Sequence, residues 1–220
     1  GYLGRKLGLE VQFGPGRRKK RIIEGKEHDC YSGLAILSRE IVVEHQLVQL
    51  PTCPADSDRT VLSALFGWNG LPLLITNTHL THIPGKDALR EKHLQAALTS
   101  ACEFFSKPSK GATATNQPVF LCCGDMNFEI DDTVLRRLQG NSGTSVHDCY
   151  LEGGGKLPGF TFEFDEKSPC RLDYVLNLQG DLYKTVNYSN AEIIFTESDN
   201  DGVMPSDHFG VLVEVTEERI

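Results

Sequence analysis

Residues 118–127 read Pro-Val-Phe-Leu-Cys-Cys-Gly-Asp-Met-Asn, an apolar run that is followed at once by a polar turn. The apolar part, Pro118 to Cys123, shows no alternation of polar and apolar residues, which predicts a short strand buried on both faces. Loops that follow such strands present side chains from a rigid scaffold. Asp125 and Asn127 therefore stand where chemistry can take place.

Three further segments place polar residues at the ends of apolar strands in the same way. They are residues 74–80 (Leu-Ile-Thr-Asn-Thr-His-Leu), 171–176 (Arg-Leu-Asp-Tyr-Val-Leu) and 205–211 (Pro-Ser-Asp-His-Phe-Gly-Val). Taken singly, each segment has an ordinary structural explanation. A strand Asp often pairs with a nearby Arg such as Arg171, and a lone His is usually a satisfied surface or core residue.

The pattern around these segments predicts helices as well as strands. Asn69-Gly70 lies between two apolar runs, residues 60–68 and 71–77, and this dipeptide readily forms the two-residue turn of a hairpin. Apolar residues recur at helical spacing from Asp87 and the pattern fades by Pro108, which indicates an amphipathic helix.

A second, short helix is expected to be capped by residues 131–132 and to stop at Gly140. Further strands are predicted at residues 33–38, 41–50, 160–163, 171–177 and 210–215. Residues 33–38 in particular indicate a buried strand. Strands outnumber helices, which favours a mixed α/β layered sandwich with helices outside paired sheets.

Composition excludes several classes of protein. The chain has 220 residues, of which 40% are hydrophobic and 24% charged, so it is globular and long enough for one large domain. Its 22 Lys and Arg against 30 Asp and Glu give a net charge of −8, which disfavours a protein that coats polyanions nonspecifically. Seven cysteines without a CxxC spacing argue against a zinc knuckle or a disulfide scaffold. We therefore expect an intracellular, reducing compartment, either cytoplasmic or nuclear.

One basic block departs from the acidic composition. Residues Arg17, Arg18, Lys19, Lys20 and Arg21 are consecutive. The block is interpreted either as a solvated loop or as a patch that contacts an anionic surface, such as phosphates or a membrane.

Together, and in this order, the four polar segments resemble the endonuclease/exonuclease/phosphatase superfamily. These are metal-dependent phosphoesterases that include neutral sphingomyelinases and tyrosyl-DNA phosphodiesterases. The Asp207-His208 pair and the Gly-Asp-x-Asn turn carry the resemblance, which spans about Ser32 to Val215. It implies a four-layer α/β sandwich, with two mixed sheets face to face and helices outside, as a single domain over residues 1–220.

The resemblance implies a role for each polar residue in the hydrolysis of a phosphate ester. Asp125 would orient or deprotonate the attacking water, and Asn127 would donate its amide to the phosphate or hold the base in place. His208 would contact the phosphate, and Asp173 would pair with His208 to fix its tautomer and keep it cationic. His79 is expected to be a second phosphate donor.

The resemblance also implies a divalent cation. Asp207 is the expected carboxylate ligand of Mg²⁺, with Mn²⁺ as the alternative. The family ordinarily opens with a strand ending in Asn and, further on, a Gln-Glu pair whose Glu is the principal metal ligand. Neither is recognisable in this chain, so we expect that an upstream segment carrying both precedes Gly1.

Two classes of function follow. One is a Mg²⁺-dependent phosphodiesterase, and the other is a catalytically incomplete phosphate-binding or interaction domain on the same fold. The joint presence of the five residues Asp125, Asn127, Asp173, Asp207 and His208 favours the enzyme.

The substrate is less well determined by the sequence. Residues 147–152 and 171–176 look like neutral sphingomyelinases, whereas residues 161–165 and 206–210 look like tyrosyl-DNA phosphodiesterases. The acidic composition favours a lipid headgroup slightly over nucleic acid. The oligomeric state is left open.

Overall fold

The structure, a computed structural model, describes residues 2–52, 54, 56, 58–107, 117–139, 144–163 and 169–217. The chain divides into two compact units, Gly1–Asn116 and Gln117–Ile220, and each combines helices with strands. Three predicted features lie outside the described residues: Pro108, Gly140 and residues 164–165. No helix within the described ranges is both long and apolar enough to cross a membrane. The single domain over residues 1–220 stays a prediction.

In its described residues, the first unit holds two helices and five strands. These are α1 (Tyr2–Leu7), β1 (Glu10–Ile23), β2 (Lys26–Ser38), β3 (Val42–Gln49), β4 (Thr60–Trp68), β5 (Leu71–His79) and α2 (Asp87–Ser106). Strands β1 and β2 form an antiparallel hairpin, and β3, β4 and β5 pair antiparallel in chain order. The predicted hairpin turn is confirmed, because Asn69 and Gly70 both adopt left-handed backbone angles, with φ of 50° and 81°.

The core of the first unit includes a cluster formed by β2 and β4. Its buried side chains are Leu34, Ile36, Leu62, Ala64 and Phe66. Residues 33–38 are a strand as predicted, but only the face of Leu34 and Ile36 is buried, since Leu37 on the opposite face is 37% exposed. The prediction of a buried strand there is wrong for that reason.

The basic block lies in β1, so its interpretation as a solvated loop is wrong. The strand is stabilised there by its partner rather than by an apolar face. Arg18 contacts Asp29 at 2.7 Å and Lys20 contacts Glu27 at 2.6 Å across the hairpin. All four side chains are exposed, so solvent screens both pairs and they add little to stability.

The described part of the second unit holds five strands and two short helices. These are β6 (Val119–Asp125), α3 (Asp132–Gln139), β7 (Ser145–Asp148), α4 (Cys149–Glu152), β8 (Asp173–Gln179), β9 (Val186–Ile194) and β10 (Gly210–Glu217). Strand β8 pairs antiparallel with β6 on one side and with β7 on the other, and β9 pairs with β10. The buried strand predicted after Pro118 is confirmed, because the four residues from Val119 to Cys122 are buried.

In this unit, one local sequence prediction is confirmed and another is wrong. The side chain of Asp131 accepts a hydrogen bond from the Val134 N–H at 2.8 Å, which confirms the expected cap of α3. The strand predicted at residues 160–163 is absent, and Phe162 instead makes isolated bridges to Cys170 and His208.

Candidate active site

Asp125 stands at the end of β6 in a turn that holds its carboxylate on both oxygens. The Asn127 backbone N–H donates to Oδ1 of Asp125 at 2.8 Å, and the Asn127 side-chain amide donates to Oδ2 at 3.1 Å. Asn127 has φ of 56°, a left-handed angle that Asn tolerates better than most residues. Of the two roles expected for Asn127, this geometry supplies the one that holds Asp125 in place.

His208 lies between two carboxylates. Its Nδ1 is 2.8 Å from Oδ2 of Asp173, and its Nε2 is 3.9 Å from Oδ2 of Asp125. The hydrogen bond to Asp173 is the main cause that raises the pKa of His208, and the charge of Asp125 acts in the same direction against the effect of burial. The three side chains are 16 to 23% exposed, so they can be reached from solvent.

The register of two strands brings the carboxylates together. Asp125 on β6 is the direct cross-strand partner of Asp173 on β8. Opposite residues of an antiparallel pair point to the same face, with Cβ atoms about 5 Å apart. His208 reaches them from the segment that precedes β10.

Thr161 and Phe162 fix this arrangement. The sequence marks residues 161–165 as a resemblance to tyrosyl-DNA phosphodiesterases but assigns neither residue a role in the site. The fully buried Thr161 hydroxyl accepts hydrogen bonds from the N–H groups of Leu172 and Asp173, at 2.9 and 3.1 Å. Its carbonyl accepts the Phe209 N–H at 2.7 Å, and the Phe162 ring lies 4.8 Å from the His208 ring. The two residues thus tie the start of β8 to the loop that carries His208.

Arg171 is paired away from the site. Its guanidinium makes two hydrogen bonds of 2.7 Å to the carboxylate of Asp148, and both side chains are buried. The rings of Tyr150 and Tyr174 lie 4.7 and 4.5 Å from the guanidinium carbon. Since both terminal nitrogens of Arg171 are bonded to Asp148, Asp173 two residues further on can pair with His208.

Comparison with solved structures identifies the fold. The structure of a D. rerio TDP2 humanized by 14 mutations aligns over 98% of this chain and 80% of the TDP2 chain, with a TM-score of 0.71 and 19% sequence identity. D. rerio TDP2 complexed with a single-strand DNA product matches 96% and 78%, with a TM-score of 0.66 and 20% identity. An endonuclease/exonuclease/phosphatase family protein from Leptotrichia buccalis matches 94% and 70%, with a TM-score of 0.63 and 19% identity. The fold is that of the endonuclease/exonuclease/phosphatase superfamily.

This likeness confirms the predicted fold class, an α/β sandwich with mixed sheets and helices. No protein-family model matches the chain, and no curated protein matches it. At identities of 19 to 20%, this likeness concerns the fold alone.

The site fits a divalent cation by its donor chemistry. Asp125, Asp173 and His208 each offer one ligand atom, and these atoms lie within 4.8 Å of one another. Mg²⁺ is usually bound through one or two carboxylates and keeps several waters, and Mn²⁺ also prefers oxygen ligands. The two carboxylates are therefore the groups in this cluster that suit either ion.

Asp207 and His79 are the other two residues predicted for the site. Asp207 is exposed, and its carboxylate accepts a hydrogen bond from the Ser206 hydroxyl at 3.3 Å. His79 is the last residue of β5, in the first unit, and is exposed. The metal-binding role of Asp207 and the phosphate-binding role of His79 stay predictions.

Proposed function

We propose that this chain is a phosphodiesterase that hydrolyses nucleic acid at the cluster of Asp125, Asp173 and His208. One observation carries the proposal, namely the position of His208, hydrogen-bonded to Asp173 and facing Asp125. The cluster combines a held carboxylate with an imidazole whose raised pKa favours the cation. A base beside a cationic donor is what attack of water on a phosphate anion requires.

The residues of the cluster then have distinct tasks in the reaction. Asp125, held by Asn127, orients the attacking water and accepts its proton as the water oxygen bonds to phosphorus and the ester bond breaks. The departing alkoxide takes up a proton from solvent. His208 donates a hydrogen bond from Nε2 to a nonbridging oxygen, where charge must be stabilised. Asp173 accepts the Nδ1 proton and keeps the ring in one orientation.

A divalent cation would be held by the carboxylates of Asp125 and Asp173. Mg²⁺ or Mn²⁺ there would supply positive charge to the phosphate oxygens. Asp207 is proposed as a further carboxylate ligand. An intracellular, reducing location is part of the same proposal.

The choice of nucleic acid is supported by a structural neighbour. D. rerio TDP2 was crystallised with a single-strand DNA product, and its fold covers most of this chain. The slight preference for a sphingomyelinase-like enzyme rested on composition and short sequence matches. None of the neighbours described above is named as a sphingomyelinase, so sphingomyelin is included in the test as the alternative substrate.

The test is a substrate panel with the full chain. The substrates are a single-stranded oligonucleotide, sphingomyelin vesicles and bis(p-nitrophenyl) phosphate, each with Mg²⁺, Mn²⁺ or EDTA. We expect cation-dependent cleavage of the oligonucleotide, and a loss on the order of 10² to 10⁴ in rate for Asp125→Asn.

The matched control is Asp181→Asn, an exposed carboxylate in the turn that follows β8. It should leave the rate unchanged. Absence of hydrolysis with every substrate would favour the catalytically incomplete domain instead, and cleavage of sphingomyelin alone would replace nucleic acid by the lipid.

A further inference from the structure

The outer part of the hairpin β1–β2 carries an unusual distribution of charge. Pro15 pairs with Gly33, but the next pair is Arg18 with Tyr31, so β1 contains one extra residue at this point. Such a bulge switches the face to which every later side chain of that strand points. Beyond it, β1 and β2 pair regularly as far as the pair of Ile23 and Lys26.

One face of this outer part is neutralised within the hairpin. Arg18 and Lys20 point to the same side as Asp29 and Glu27, because directly opposite residues share a face. The contacts of 2.7 and 2.6 Å between these cations and carboxylates cancel their charges locally.

The other face is basic. Its six positions are Lys19, Arg21, Ile23, Lys26, His28 and Cys30, as the pairs of the two strands require. None of them is acidic, although the whole chain has a net charge of −8. Lys19, Arg21 and Lys26 therefore form a line of like charge, in which Lys19 and Arg21 are about 6.7 Å apart along the strand.

This basic face continues the side of the hairpin that packs on the core. Alternation along β2 puts Lys26 and His28 on the same side as the buried Leu34 and Ile36. His28 lies roughly 20 Å along the strand from Leu34, at about 3.3 Å per residue. The exposed Arg21 and Lys26 and the half-buried Lys19 thus extend past the core of the first unit, where an extended anionic chain can lie against them.

We propose that this face, formed by Lys19, Arg21, Lys26 and His28, binds the phosphate backbone of a single nucleic-acid strand. The inference rests on the proposed function and adds a binding surface outside the site at Asp125. Charge complementarity identifies the partner, since a row of cations that carries no acid suits a row of phosphates. A membrane is disfavoured, because the exposed Glu24 at the tip of the hairpin would meet an anionic leaflet first.

Two double variants test the face against net charge alone. Lys19→Gln with Arg21→Gln removes one lysine and one arginine from the basic face, and Arg18→Gln with Lys20→Gln removes the same two residue types from the neutralised face. Both are made in the Asp125→Asn background, so that the strand is not cleaved. Binding of a fluorescent oligo(dT) is titrated over a range of salt concentrations.

The basic-face variant should bind more weakly and with a smaller salt dependence. Two lost phosphate contacts reduce the slope of log K against log salt by about 1.4 for a single strand. The loss of affinity between about 50 and 200 mM salt should then be about sevenfold smaller than in the parent. The neutralised-face variant should keep the parent slope. Equal changes in the two variants, or no change in the basic-face variant, would overturn the proposal.

Vesicle binding distinguishes a membrane contact from a nucleic-acid contact, and hydrolysis of a small substrate distinguishes failure of the binding face from failure of the proposed function. If the basic-face variant loses binding to phosphatidylserine vesicles while oligo(dT) binding is unchanged, the face is a membrane contact and the proposal is wrong. Hydrolysis of bis(p-nitrophenyl) phosphate by the same pair of variants without Asp125→Asn should equal that of the parent. A failure of the proposed function removes this hydrolysis, whereas a failure of the binding face leaves it intact.

Discussion

The pairing of Asp173 with His208 makes a quantitative prediction for Asp173→Asn. The Nδ1 to Oδ2 distance of 2.8 Å corresponds to a charge-assisted hydrogen bond, and such bonds contribute about 1.5 to 3 kcal/mol. If the bond acts only when His208 stabilises charge on the phosphate, kcat should fall about 10- to 150-fold, at 1.36 kcal/mol per factor of ten. Asn keeps the size of the side chain and leaves the hydrogen bond from the Asp173 N–H to Thr161 in place.

A double-mutant cycle then separates pairing from independent effects. His208→Ala should lose on the order of 10² to 10⁴ in rate, and adding Asp173→Asn to it should cost little more, because the two residues act as one unit. The rates are measured on bis(p-nitrophenyl) phosphate, with Asp181→Asn as the matched control. Full additivity of the two losses, to within about 0.5 kcal/mol, would refute the pairing.

Three further predictions concern stability and reactivity. Burial lowers the pKa of His93 below its ordinary 6.5, so His93 takes up its proton at a higher pH in the unfolded chain than in the folded one. The free energy of unfolding should therefore decrease as the pH falls below about 6.5. Urea titrations of His93→Asn should show this decrease removed. Asp148→Asn leaves the Arg171 guanidinium buried without its charge partner and should destabilise the fold by about 3 to 5 kcal/mol in the same assay. Cys122 and Cys123 should resist alkylation in the native state, since burial raises the pKa of the Cys123 thiol to about 11 and also raises the pKa of the Cys122 thiol. Rapid labelling of both thiols, detected by mass spectrometry, would contradict this prediction.

Local chemistry accounts for the parts of the fold that the sequence predicts well. The turn at Asn69-Gly70 needs only left-handed angles at two residues, and the cap at Asp131 needs only one carboxylate near the start of a helix. The outer part of β1 escapes such reasoning, because its pattern is charged rather than apolar. Its strand pairing depends on cross-strand partners such as Asp29, which become apparent only once the register is known.

The same distinction applies to the site. The sequence singles out Asp125, Asn127, Asp173 and His208, and the structure brings these four together. The sequence marks residues 161–165 only by resemblance and does not indicate the structural role of Thr161, whose buried hydroxyl accepts N–H groups at the start of β8. A residue that acts by hydrogen-bonding two distant segments of the chain to each other is not marked by a sequence motif.

Arg171 shows why the neighbours of a site must be considered along with it. An arginine two residues before Asp173 is the obvious partner for that carboxylate, and such a pair would leave His208 without its acceptor. The structure instead gives Arg171 two bonds to Asp148, which also caps α4 through the N–H groups of Tyr150 and Leu151. A buried arginine needs a geometrically matched carboxylate, and Asp148 supplies both oxygens from within the core. The availability of Asp173 for His208 therefore depends on an ion pair that has no part in the reaction.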